Sequence, residues 1–168
     1  MNSFRHRRFS VIGLPAFVLL VTTAGCSSAD GSASAAVPSP GAKATKLCQN
    51  LDKKLPAEVD GADREDPSPA STLTAGWGDP AIILRCGVVR PPKMSDPKVA
   101  EGRDQDAVAG GVNGVRWLME RQGDGYRFTT ALRRAYVEVT VPEGRDSSGV
   151  LIDLAAAVKK AIPEGIAD

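Results

Sequence analysis

The chain has 168 residues, of which 42% are hydrophobic, 24% charged and only 5% aromatic, and its formal net charge is +1. These values describe a small globular protein and exclude a collagen-like, coiled-coil or wholly disordered chain. No stretch reaches the roughly 18 to 20 unbroken apolar residues of a membrane-spanning helix.

Taken in chain order, the first element is an address. Arg5, Arg7 and Arg8 precede an apolar run from Phe9 to Val21. At about 1.5 Å per residue the run covers only about 20 Å, against roughly 30 Å of hydrocarbon, and Pro15 interrupts it. A charged start, a short apolar middle and then small residues make a secretory signal. The small residues are Thr23-Ala24-Gly25, followed by Cys26. Two readings stand at this point: a lipoprotein signal over 1–25 with Cys26 lipidated, or an ordinary signal cleaved near Gly25 that leaves Cys26 free. The next segment favours the first. Ser27 to Ala44 is almost entirely Ser, Ala, Gly and Pro, a composition with too little apolar surface to fold and a reach near 25 Å as a flexible tether. Two acyl chains on one cysteine suffice for stable attachment. Residues 1–25 are therefore expected as signal, 26–44 as lipidated cysteine and tether, and 45–168 as one globular domain.

Removing the leader removes His6, the one histidine, and with it Ser-His-Asp chemistry, Cys-His chemistry and every histidine-containing zinc site. It also takes three arginines and no acid from the 21 Lys+Arg and 20 Asp+Glu, leaving a net charge of −2. With no basic block remaining, nucleic acid is excluded as a partner. Cys48 and Cys86 are left, 38 positions apart. An even pair in an exported domain reads as a disulfide, the alternative being two buried thiols.

Within the domain, Leu47, Cys48, Leu51 and Leu55 share one helical face, and Lys53, Lys54 and Pro56 supply stop signals, which predicts a helix over 45–55. Residues 71–77 read as a short strand, and Gly78-Asp79-Pro80 as a turn. Residues 81–89 alternate with apolar side chains on both faces, the pattern of a central strand. A loop of about 15 residues then ends near Asp106, long enough to be functional or mobile. Asn113-Gly114 and Gly123-Asp124-Gly125 mark two hairpins. Residues 136–141 alternate, and a last helix, capped by Ser147 or Ser148, carries the stripe Val150, Leu151, Leu154, Val158, Ala161 and Ile162. Tight hairpins require antiparallel neighbours. The expected fold is thus α+β: an antiparallel meander of about five to six strands, two helices packed on one face, and one structural disulfide.

The stretch Trp77-Gly78-Asp79-Pro80, Ile82 and Leu84-Arg85-Cys86-Gly87-Val88 is dense in Gly, Pro, Trp and Cys. With Val112-Asn113-Gly114-Val115, Trp117, Val139-Thr140-Val141-Pro142, the Thr-Ala-Gly-Cys26 end of the leader and Cys48-x-x-Leu51, it resembles an uncharacterised actinobacterial lipoprotein family, domain of unknown function 3515. The resemblance covers about residues 46–162. It implies an exported, membrane-attached domain with paired cysteines and no established activity.

Several residues bear chemistry. Asp79 beside Trp77 is either a general acid or an Asx-type turn. Arg85 is either a clamp for carboxylate or phosphate or one half of a structural ion pair. Trp77 and Trp117 either line a groove or belong to the core. Asp104-Gln105-Asp106 with Glu101 lacks the ligand run of a calcium loop and reads as a solvated acidic loop. No catalytic residue, metal site or cofactor is expected. The candidate ligand site is Trp77, Asp79 and Arg85, supported by the loop over 93–106. The expected function is a non-enzymatic binding module anchored through Cys26 at the outer face of the plasma membrane, its partner an envelope protein or a cell-wall ligand. The alternatives are an enzyme or accessory subunit acting on wall material with Asp79 as acid, and capture of a small ligand between the sheet and the long loop.

Overall fold

A computed structural model describes residues 33–167; the leader and Cys26 lie outside the described residues. The elements are α1 (Ala42–Asp52), β1 (Glu58–Val59), β2 (Ala62–Asp63), β3 (Thr74–Trp77), β4 (Ile82–Cys86), a 3-10 turn (Pro92–Ser95), α2 (Pro97–Ala100), β5 (Ala107–Val112), β6 (Val115–Gln122), β7 (Gly125–Ala131), β8 (Val137–Pro142) and α3 (Ser147–Ala161). The expected α+β fold is present, with all sheet pairings antiparallel.

The strand order departs from a simple meander. In the six-stranded sheet it is β3-β4-β8-β7-β6-β5, and β1 and β2 form a separate small hairpin. β4 keeps the central place that its two apolar faces demand, between β3 and β8. The segment after β4 carries the chain to the far edge, and the meander β5 to β8 then winds back to close against β4. Asn113 and Gly114 adopt φ +46 and +79, the left-handed pair that a two-residue hairpin turn requires.

Successive residues of a strand point to opposite faces, and the register sorts them cleanly. One face carries Ala75, Trp77, Ile82, Leu84, Cys86, Val137, Val139, Val141, Phe128, Val115 and Trp117, all buried in one cluster with Leu51, Val150, Leu154 and Val158 of α1 and α3. The two longer helices therefore cover this face, as expected. The Cys48–Cys86 disulfide, with 5.5 Å between Cα atoms, ties α1 to β4; by loop-closure entropy it is worth roughly 4 kcal/mol. The third, short helix α2 lies on the opposite face, where Val99 packs with Ala107, Leu118 and Met94.

Three boundaries shift. Residues 33–44, expected as tether, are already part of the folded unit. Ala35 N–H donates to the Ser68 carbonyl at 3.0 Å and Ser68 N–H to the Ala33 carbonyl at 2.8 Å. Backbone pairing needs no apolar side chain, so composition could not reveal it. Pro40 then packs on Gly87, where a Cβ would meet its ring at 2.5 Å. The first helix begins at Ala42 and ends at Asp52, three residues earlier than expected at each end. Finally, α3 is capped by Asp146, whose carboxylate accepts from Ser148 N–H at 2.9 Å, and not by a serine; a charged oxygen one residue earlier is the stronger acceptor.

Candidate functional site

The three residues expected to form a site are not brought together. Trp77 is fully buried, and its indole N–H donates to the Pro56 carbonyl at 3.2 Å; it is a core residue on the helix face. Asp79 is exposed in the turn between β3 and β4. Arg85 lies on the other face, near the opposite end of β4, where it faces Thr74 on β3 and Glu138 on β8. Its Nη1 donates to Glu138 at 3.1 Å and its Nε to the Ala36 carbonyl at 2.9 Å. Both readings of Arg85 named an acid or an anion, and Glu138 and the 33–40 segment occupy its fork. Trp117 is also core, 2% exposed, and its indole N–H has no partner among the described residues.

The back face of the sheet is built differently from the helix face. Arg85–Glu138 and Arg127–Glu120 are directly opposed cross-strand pairs with oxygens at 3.1 Å. Their carboxylates are nearly buried while their guanidinium groups reach solvent. The segment between β4 and β5 folds over one part of this face. Lys93 Nζ holds both carboxylate oxygens of Asp104, at 2.7 and 2.8 Å, and Asp104 also accepts from Asp106 N–H at 2.9 Å. The hydrogen bond from Lys93 holds the Asp104 carboxyl below the usual carboxylate range, and the same bond raises the Lys93 ammonium above the usual lysine value. Glu101 is paired with Arg103. Two acids of this loop, Glu101 and Asp104, are thus matched by bases of the same loop, and no cluster suited to a metal ion occurs among the described residues.

Between that segment and the sheet lies a cleft of about 590 Å³, within the range typical of small-molecule sites. Its floor is Ala109, Leu118 and Ala131; its walls include Met94, Tyr136 and Ile166. Arg90 and Arg116 stand at its rim, both exposed and with no ion pair among the described residues. The one acid of the lining, Asp96, is occupied as the cap of α2, accepting from Lys98 N–H at 2.9 Å. The cleft therefore offers an apolar floor and unmatched positive charge, the chemistry for an anion with an apolar part. Arg90, Arg116 and Tyr136 were missed by the sequence reading, which had nonetheless marked the 93–106 loop over the sheet. Residues this far apart in sequence converge only through the strand order, and no local spacing signals them.

The arrangement defines a small α+β domain with a basic cleft on the back of its sheet. By sequence, the chain belongs to the family described as "Protein of unknown function (DUF3515)", whose model matches residues 9–167. No curated protein and no solved structure matches it.

Proposed function

We propose that this chain is an exported lipoprotein, lipidated on Cys26 and held at the outer face of the plasma membrane, whose folded part is a non-enzymatic binding module. The leader supports the address: Arg5, Arg7 and Arg8, the short run from Phe9 to Val21, and Thr23-Ala24-Gly25-Cys26. The Cys48–Cys86 bridge agrees with an oxidising compartment and leaves Cys26 as the remaining cysteine for lipid. The observation that carries the binding role is the cleft, which combines Leu118 and Ala131 with the unmatched Arg90 and Arg116. Its ligand is an anionic molecule with an apolar portion, drawn from cell-wall material or presented by an envelope protein. Tethering confines the domain to the membrane surface and raises its effective concentration for such ligands.

A thermal-shift screen of the oxidised chain against muropeptides, lipid-linked wall precursors and neutral glycans tests this reading. An anionic ligand at about 100 times its dissociation constant adds roughly 2.7 kcal/mol, several degrees for a chain of this size. The shift is expected to vanish in Arg116→Ala and to persist in Asp79→Asn. Loss in Asp79→Asn alone would move the site to the β3–β4 turn. A panel without any shift would reject the cleft as a site for wall ligands.

A further inference from the structure

The two edges of the six-stranded sheet are treated differently. Along β3 the chain closes its own edge: Glu65 N–H donates to the Gly76 carbonyl at 2.8 Å and Gly78 N–H to the Asp63 carbonyl at 3.2 Å. Beyond β5 no further strand is paired among the described residues. The closing pair of a two-residue hairpin is hydrogen-bonded, and such pairs alternate along the ladder. Val112, Gly110 and Val108 therefore bond to Val115, Trp117 and Met119, and the Arg121 N–H to Asp106 carbonyl bond at 2.8 Å continues the alternation. The N–H and C=O groups of Ala109 and Gly111 point away from the sheet. Ala107 N–H is already held by the Asp104 carboxylate. Natural sheets guard such an edge with charge, proline or a bulge; β5 reads AVAGGV and carries none of these.

We propose that β5 is the seam of a homodimer, in which two copies pair antiparallel about a two-fold axis through Gly110. This inference is independent of the ligand reading above. In that register Ala109 and the partner's Gly111 exchange their outward hydrogen bonds, twice, and the Ala107 amide stays with Asp104. Val108, 49% exposed in the single chain, packs against the partner's Val112. Gly110 faces the partner's Gly110, and a Cβ there meets no atom of its own chain within 4 Å. The charges agree as well. Asp106 stands opposite the partner's Gly114, and in each chain Lys159 lies over Gly114, its Nζ 3.7 Å from where a Cβ would be. An acidic strand start thus meets a basic strand end on both sides of the axis. A closed, isologous interface is the commonest way for such a seam to stop at two copies.

The test uses the full chain, purified in mild detergent with its disulfide intact. Residues on the axis form a pair that is not hydrogen-bonded, about 4.5 Å between Cα atoms, inside the disulfide window. Gly110→Cys is expected to give a disulfide-linked dimer under mild oxidation, and Ser95→Cys, exposed on the 3-10 turn, to give none. Sedimentation of the unmodified chain is expected to show a concentration-dependent dimer. Asp106→Lys should weaken it by about two- to tenfold, and Asp106→Lys with Lys159→Asp should restore it. A chain that sediments as a monomer throughout, equal cross-linking of the two cysteine variants, or dimerisation unmoved by charge reversal would each overturn the seam.

Discussion

The two faces of the sheet obey different rules. On the helix face nearly every side chain is apolar and sealed, and Trp77, Ile82, Val137, Val139, Val141 and Leu154 are each at most marginally exposed. On the back face the same strands present Arg85, Glu138, Arg127, Glu120, Thr74 and Thr129. The helix face holds the domain together through burial, which is proportional to apolar area and indifferent to direction. The back face is held by directional pairs whose partners must be opposite in register. A face of the second kind leaves room for a cleft, because its polar groups tolerate water at their margins, whereas a gap on the first would cost packing on all sides.

The most severe break of this contrast is Trp77→Ala. It removes the largest fully buried side chain of the domain and leaves the Pro56 carbonyl without its donor. A loss of about 3–5 kcal/mol is expected in denaturant unfolding of the oxidised chain. A loss below about 1 kcal/mol would mean that the helix face is less tightly closed than its burial indicates, and would return Trp77 to the list of ligand-facing residues.

The back face should respond more gently, and cooperatively. Arg85 is about a third exposed and Glu138 nearly buried, so solvent screens part of their attraction. A double-mutant cycle on Arg85→Met and Glu138→Gln is expected to give a coupling of about 0.5–1 kcal/mol. Arg85→Met alone should cost more than Glu138→Gln alone, since it also frees the Ala36 carbonyl and loosens residues 33–40. Protease sensitivity of that segment in Arg85→Met, with the core intact, would separate the two contributions.

The same division explains what the sequence could and could not show. Period-two alternation in 136–141 and the helical stripe from Val150 to Ile162 announce burial, and the helix face follows from them directly. Asn113-Gly114 announces a turn because its backbone conformation excludes most other residues. The back face has no such local signature. Arg85–Glu138 exists because β8 is inserted between β4 and β7, and pattern within a strand does not reveal its neighbours. Arg127–Glu120 lies across the β6–β7 hairpin, where the turn announces the pairing but not which side chains meet. The cleft depends on that order in the same way, gathering Arg90, Arg116, Tyr136 and Ile166 from four separate stretches. The strap over 33–40 escaped notice because it is held by backbone hydrogen bonds, which composition does not predict.

The smallest effect separates the loop from both faces. Lys93 and Asp104 pin the segment that walls the cleft, and each shifts the other toward its charged form. Asp104 has a folded-state pKa below its unfolded one, so its contribution is complete above about pH 4 and is lost as pH falls through the lower, folded value. Lys93 has a raised pKa, so its contribution is complete below about pH 10 and is lost as pH rises through the still higher folded value. Between these limits the pin is constant. Hydrogen exchange at the amides of Asp106 and Ala107, which the Asp104 carboxylate holds, should therefore show protection at pH 5 to 8 that weakens as the pH falls below the ordinary carboxylate range, with Val139 and Leu154 still protected. Asp104→Asn should reproduce the acid behaviour at neutral pH, because an amide cannot hold the ammonium as a carboxylate does. Loss of protection at all four positions together would show that the loop and the core unfold as one unit, and that the wall of the cleft has no independent motion with which to admit a ligand.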